Sequence, residues 1–425
     1  MIKIKNVLLA VGLFAAVSLN AQTLKIEDCY RLAKENFPLV QQYELLEKTK
    51  DFSITNAQKA YLPQFGIYGQ ATYQSDVTQL PFDFSNIPIP GLSDMTELSK
   101  DQYRIYGEVS YSLTNLATTK NQSDLVKANA GIETQKLEVE LYKLCERINS
   151  LFFGVLLIDA QIAQTELVKN DIQNGITRAE VAIVNGVALR SAADNLKAEL
   201  LKIKQRATEL QATRKGYSNM LSLFIGQKID ENTVFEKPSS PVVSSEINRP
   251  EMQLFNLQNQ AFDLQNRLIT NKNLPHVNLF FQGGYGRPAL NMLSDDFKPY
   301  YITGVRLSWN LSGFWIFNNE RKQIAINQSG VQILQETFLF NTNLALSQQN
   351  MEIAKMQELI TDDNDIILLR ENVKNAMQTQ LDNGTATTND YLIAVNAEDQ
   401  ARQNRILHEI QLLLAQYNAN MTAGN

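Results

Sequence analysis

The spacing of hydrophobic and polar positions changes along each half of the chain. Residues 103–115 read "YRIYGEVSYSLTN", in which Tyr103, Ile105, Gly107, Val109, Tyr111 and Leu113 alternate with Arg104, Tyr106, Glu108, Ser110, Ser112 and Thr114. A strict period of two over this length predicts a β-strand with one apolar and one polar face. From residue 116 to 184 the period lengthens and no proline interrupts it. Leu137, Leu141, Leu144, Ile148, Leu151, Val155, Ile158 and Ile162 step by four and three. After a turn at Asn185, the positions Leu196, Leu200, Ile203, Ala207, Leu210, Tyr217, Leu221 and Phe224 continue the register. The first run predicts a helix roughly 100 Å long at a rise of about 1.5 Å per residue. Heptad-like spacing on both sides of the turn predicts an antiparallel coiled coil; an ordinary amphipathic bundle is the plainer alternative.

The same pattern is written twice. "YLPQFGIYGQATY" (61–73) returns as "NLPHVNLFFQGGY" (273–285), an offset of 212, and the first strand returns as "YITGVRLSWNLSG" (301–313), an offset of 198. Asn185-Gly186 returns as Asn383-Gly384, again at 198, and Ser191–Asp194 returns as Thr387–Asp390 at 196. The last offset predicts a first turn two residues longer than the second. Each half reads helix, strand, long loop, strand, very long helix, tight turn, long helix. The predicted organisation is an export signal over 1–21, a first repeat over 22–226, a linker over 227–246 and a second repeat over 247–425. The segment joining the halves, 227–250, is rich in Ser, Pro and charge, and all eleven prolines avoid 91–237 and 300–425.

Composition narrows the compartment and the partners. Lys3 and Lys5 precede the apolar run "VLLAVGLFAAV" and then "SLNAQ", which predicts a secretory signal cleaved after Ala21. No cysteine stands at that cut, so a lipid anchor there is not expected. Without Lys3 and Lys5, 37 basic residues face 45 acidic ones, a net charge near −8. An exported acidic chain is a poor partner for nucleic acid or for anionic membrane surfaces. Cys29 and Cys145 fall in helical patterns and are expected as two separate buried thiols. His276 and His408 have no acidic or thiol neighbours at ligand spacing, so neither a metal nor a cofactor is predicted. Neither G-x-S-x-G nor H-E-x-x-H occurs, which argues against an enzyme. No apolar run reaches 18 residues, and "LFFGVLLI" (151–158) is too short to span a bilayer.

The four strand segments nevertheless have one apolar, aromatic-rich face each, as transmembrane β-strands do. Their connections, 74–102 and 286–299, are long and proline-bearing. A sheet in lipid must close, and four strands cannot close alone. Two chains would give eight strands with a filled interior, and three would give twelve with a lumen. The polar face, including Arg104, Glu108, Ser110, Arg306, Ser308 and Asn310, favours the second. A soluble four-stranded sheet is the alternative.

On these features the chain resembles the TolC-type outer-membrane efflux proteins. The resemblance is carried by "LKIEDCYRLAKENFP", "RPEMQLFNLQNQAFDLQNRLITNKNLP", "GEVSYSL", "VRLSWNL", the two glycine turns and their duplicated order. It implies a mostly α fold with a membrane β-barrel: duplicated long helical hairpins forming a periplasmic α-barrel, four transmembrane strands per protomer and twelve in a homotrimer. It also implies the exit duct of a tripartite efflux pump or a type I secretion system in a Gram-negative outer membrane. The implied partners are outer-membrane lipid, a periplasmic adaptor and an inner-membrane transporter of the RND, ABC or MFS type. An outer-membrane-anchored coiled-coil stalk or adhesin without transport is the competing reading.

Candidate site residues follow from the turns and strands. Gly186 and Gly384 are predicted left-handed caps ending the long helices. Ser191 with Asp194, and Thr387 with Asp390, fit capping boxes starting the next ones. The resemblance adds a second role for Asp390, as one of three carboxylates around the periplasmic entrance, where mutual repulsion would raise their pKa values. The family pattern expects an aromatic at Leu381, a basic residue at Ala386 and a second aspartate at Ile393; this sequence departs at all three. Apolar contacts through Leu381 are the expected substitute. Asn185, Gly186, Asn383, Gly384 and Thr385 are candidates for adaptor docking, with a solvated turn as the alternative. Arg104, Glu108, Arg306 and Ser308 are expected to face the barrel lumen.

Overall fold

The computed structural model describes residues 23–78, 98–186, 188–241 and 246–425. The expected export signal and most of the loop following the first long strand lie outside the described residues. In chain order the elements are β1 (Thr23–Leu24), α1 (Ile26–Asn36), α2 (Gln41–Lys59), β2 (Gln64–Tyr73), β3 (Asp101–Ser112), α3 (Asn115–Val184) and α4 (Arg190–Ile225). There follow β4 (Val234–Phe235), α5 (Pro250–Lys272), β5 (His276–Arg287), β6 (Lys298–Ser308), α6 (Gly313–Asp382) and α7 (Thr388–Ala423).

The helical repeat holds a single offset. From Asn115 to Gly313 is 198 positions, and from Ile225 to Ala423 is also 198, so α3–α4 and α6–α7 superpose in sequence without a slip. The expected two-residue difference between the turns is therefore corrected: both hairpin connections have the same length. The offset of 212 between Gln64 and His276 falls to 198 because the β5–β6 connection is the shorter one.

The chain forms two compact units, and neither is one sequence repeat. Among the described residues, one lies within 1–42, 137–252 and 337–425, and the other within 43–136 and 253–336. In the first unit two apolar clusters hold the hairpins together. One joins Ile148, Phe152, Phe153 and Val155 of α3 to Leu221 and Ile225 of α4, Ile410 and Leu413 of α7, the apolar face of α1, and Phe235 of β4. The other joins Val168, Ile172 and Ile176 of α3 to Leu196 and Ile203 of α4 and to Tyr391, Leu392 and Val395 of α7. Each large apolar side chain buried this way contributes about 1.5–3 kcal/mol. The heptad positions are thus core positions, but they meet a third helix, and the expected two-helix coiled coil becomes a bundle core. Among the described residues one helix, within α3, is apolar enough by composition to cross a membrane; its Ile148, Phe152, Phe153 and Val155 are fully buried against protein.

Polar ties fix the ends of these elements. β1 and β4 pair in parallel, Thr23 with Val234 and Leu24 with Phe235. Arg214 clamps the connection after α4 by donating to the carbonyls of Glu231 and Thr233, at 3.1 and 3.0 Å, while pairing with Asp159. Asn36 caps both α1 and α4 through the carbonyls of Leu32 and Ile225. Cys29 and Cys145 are free and buried, as expected. Burial, aided by Asp28 and Glu27, pushes the Cys29 thiol up to about 12, and burial likewise raises that of Cys145.

Candidate functional site

The second unit holds a four-stranded antiparallel sheet in the order β2-β3-β5-β6. Its register aligns Phe65, Val109, Phe281 and Thr303 across all four strands, with Ile67, Gly107, Gly283 and Tyr301 in the next row on that face. The opposite face aligns Gly66, Glu108, Gln282 and Ile302 in one row and Gln70, Arg104, Gly286 and Lys298 in another. A soluble sheet hides its apolar face; this one does the reverse. Phe65 and Ile67 are 80% and 84% exposed, whereas Gln102 on the polar face is 6% exposed. The apolar face is thus not the one the sheet buries. Aromatic side chains stand near both ends of the apolar face: Tyr73, Tyr103 and Tyr285 at one, and Tyr111 and, just past β6, Trp309 at the other. Trp309 is held there by its indole N–H, which donates to the Asn273 carbonyl at 3.1 Å.

Arg104, Glu108, Arg306 and Ser308, the residues expected to share a face, do share one. Arg306 pairs with Glu108 at 3.3 Å and lies over the Phe280 ring at 4.5 Å, and Gln282 donates to the same carboxylate. The sheet is open: β2 and β6 are each paired on one side only.

The hairpin tips form the second candidate region. Gly186 and Gly384 take φ values of 75° and 73°, the left-handed conformation expected at both turns. Thr385 closes the second turn by donating both its N–H and its hydroxyl to the Gln380 carbonyl, at 2.9 and 3.0 Å. α7 begins with the predicted capping box. The Thr387 amide and hydroxyl donate to Asp390 Oδ2 at 3.0 and 2.7 Å, and the Asp390 amide donates back to Thr387 Oγ1 at 3.3 Å. These bonds hold the Asp390 carboxyl below the usual carboxylate range. The matching box at Ser191 and Asp194 is absent. Leu189 is the N-cap of α4, with no side-chain bond, and Ser191 lies inside the first turn. The cause is the constant offset, which sets Leu189, not Ser191, opposite Thr387.

A groove of about 870 Å³ runs between the two tips, lined by Asn185, Asn383, Gly384, Leu381, Ala386 and Tyr391 among others. Gly186 and Thr385 do not line it. Arg178 and Asp382 approach to 3.7 Å across the hairpins. Leu381 is half-buried against the tip core, whereas Ile393 is 60% exposed.

Above the tip core lies a charged cluster that the sequence reading missed. Glu398 of α7, 5% exposed, receives Lys374 of α6 at 2.7 Å and Arg402 at 2.7 Å. Lys374 also reaches Asp171 of α3, and Arg402 reaches Glu371, both at 3.2 Å. The spacing from Glu398 to Arg402 is visible in sequence as a helical ion pair; its partners on α6 and α3 are not. No group of metal-ligating side chains occurs among the described residues.

No family profile and no curated protein sequence matches the chain. Solved structures do match nearly end to end. The outer membrane protein VceC of Vibrio cholerae is similar at 13% identity with a TM-score of 0.64, over 93% of this chain and 95% of VceC. The MtrE outer membrane channel of Neisseria gonorrhoeae, solved in an open state, is similar at 12% identity and a TM-score of 0.64, over 96% of this chain and 92% of MtrE. The CmeC outer membrane channel of Campylobacter jejuni is similar at 11% identity and a TM-score of 0.63, over 94% of this chain and 85% of CmeC. The chain has the fold of these outer-membrane proteins.

Proposed function

We propose that this chain is the protomer of a homotrimeric outer-membrane channel, the passive exit duct of a tripartite efflux pump or type I secretion system. The observation that carries the reading is the inverted, open-edged sheet. Lipid offers no hydrogen bonds, so the free edges of β2 and β6 must find each other in neighbouring copies. Three copies make twelve strands and leave a lumen for the polar face, whereas eight strands would crowd the Arg306–Glu108 pairs and the tyrosines of that face. The fold shared with outer-membrane channels supports the same conclusion.

In this reading the hairpin tips meet a periplasmic adaptor at the groove lined by Asn185, Asn383 and Gly384, and an inner-membrane transporter of the RND, ABC or MFS type supplies cargo and energy. Native mass spectrometry of detergent-extracted protein should give three times the protomer mass, and the purified protein should conduct ions across planar bilayers. A well-behaved monomer overturns the barrel; a trimer without conductance favours a stalk.

The entrance assignment belongs to the same proposal. Three Asp390 carboxylates around one axis would favour cations, and the Thr387 bonds keep them ionised at neutral pH. Asp390→Asn should therefore move the reversal potential in a salt gradient toward the unselective value. The shift should be modest, because salt screens exposed charge within about 10 Å at 0.1 M. Asp194→Asn, which alters a tip charge outside any cap, should leave it unmoved. Equal, unchanged potentials in both variants would reduce Asp390 to a helix cap. With Leu381 turned toward the core, apolar closure at the entrance falls to Ile393.

A further inference from the structure

One row on the polar face of the sheet has chemistry that conduction alone does not require. We propose that Tyr68, Tyr106 and Tyr300, together with Arg104, form an adsorption belt on the barrel wall for small aromatic anions in transit; this rests on the trimeric-barrel reading above.

The register pairs Tyr68 with Tyr106, Tyr106 with Gly284 and Gly284 with Tyr300, so three tyrosines from three strands stand in a single row. Tyr68 and Tyr106 stack with ring centroids 5.3 Å apart. Gly284 leaves the row its space: a Cβ there would lie 2.5 Å from Tyr106 Cβ and 2.6 Å from the Ile105 carbonyl oxygen. The adjoining row repeats the device. Gly286 stands opposite Arg104, and a Cβ on it would meet Arg104 Cγ at 3.1 Å and the Tyr103 carbonyl oxygen at 2.9 Å.

Charge decides the sign of the ligand. On one side of the tyrosines Glu108 is already neutralised by Arg306 and hydrogen-bonded by Gln282. On the other, Arg104 has no ion pair among the described residues and shares a small pocket with Gln70, Thr72, Gln74 and Gln102, none of them acidic. Among the described residues the row therefore carries the field of a guanidinium with no acidic partner. Its planar fork suits carboxylate or sulfonate oxygens, and the phenol faces beside it suit a planar ring. Threefold repetition would place three such sites around the lumen.

The test is a fluorescence-anisotropy titration of pyranine, a planar aromatic trisulfonate, with the detergent-solubilised wild-type protein at about 20 mM salt, where screening is weak. Pyranine should bind, and Arg104→Gln should weaken binding about tenfold through loss of the charge-assisted contact. Arg104→Lys should weaken it less, Tyr300→Leu should weaken it severalfold, and high salt should release the dye. Should Arg104→Gln fail to assemble, Tyr300→Leu carries the same test from the aromatic side. Absence of pyranine binding by the trimer overturns the belt, as does equal binding by the trimeric variants. A wild-type protein that proves monomeric defeats the channel reading instead.

Discussion

Gly284→Val will keep the sheet from assembling into the proposed trimer. β-Branched residues favour strands, so the substitution suits the local backbone, and any loss must come from space. The obstructing atoms are the Ile105 carbonyl oxygen at 2.6 Å and the Tyr106 Cα at 3.0 Å, with Tyr106 Cβ at 2.5 Å. Two of the three belong to the backbone of the paired strand and cannot swing aside, so β3 and β5 must separate. Forcing side-chain volume into a filled site costs about 1–3 kcal/mol or more, here at the seam that joins the two halves of the sheet. The proposed trimer, read as a heat-modifiable band on a gel of membrane fractions, should fall by about tenfold or more, which about 1.4 kcal/mol already produces. Gly69→Val is the matched control, since a Cβ on Gly69 meets nothing within 4 Å. Wild-type levels of assembled Gly284→Val protein would show that the sheet yields at this point.

This glycine illustrates where sequence reading stopped. The alternation in residues 103–115 and its return at 301–313 made the strands, their faces and the shared side of Arg104, Glu108, Arg306 and Ser308 legible, because a period of two binds each residue to a face. The long helices were equally plain, since nothing in them breaks periodicity and each ends at a glycine in the left-handed region. Pairing partners were not legible. That Tyr106 lies opposite Gly284 depends on the β3–β5 register, which no local spacing states. The cap at the start of α4 failed for a related reason. Ser191-Ala-Ala-Asp194 looks like Thr387-Thr-Asn-Asp390, but capping depends on where the helix begins, and equal turn lengths put Leu189 at that point. The coiled-coil seam was right in position and incomplete in partners, because Tyr391 and Val395 of α7 enter the same core from 195 or more residues beyond Leu196.

Removing Lys374 will destabilise the helical bundle at neutral pH and spare it in acid. Burial acts to raise the Glu398 carboxyl, but hydrogen bonds from Lys374 and Arg402 outweigh it and hold the group below the ordinary carboxylate range. Burial likewise opposes the charge on Lys374, and its bonds to Glu398 and Asp171 raise it overall. A carboxylate whose folded pKa lies below its unfolded value adds stability fully above the unfolded value, about 4.3. That contribution is lost as pH falls through the folded one. In Lys374→Met one donor to a buried carboxylate disappears and nothing replaces it. Stripping a partner from a fully buried pair costs about 3–5 kcal/mol; about 1–3 kcal/mol is expected here, because Arg402 remains and the lysine is not fully enclosed. The melting temperature should drop at pH 7, and the gap from wild type should begin to narrow as pH falls below about 4.3 and close only below the depressed folded value of Glu398. Adding Glu398→Leu to Lys374→Met should recover most of the loss at pH 7, since no unpaired charge is left inside. Equal melting at pH 7 would mean that Arg402 alone satisfies Glu398, and a gap that does not narrow at all as pH is lowered through the acid range would assign the effect to the packing of the lysine stem.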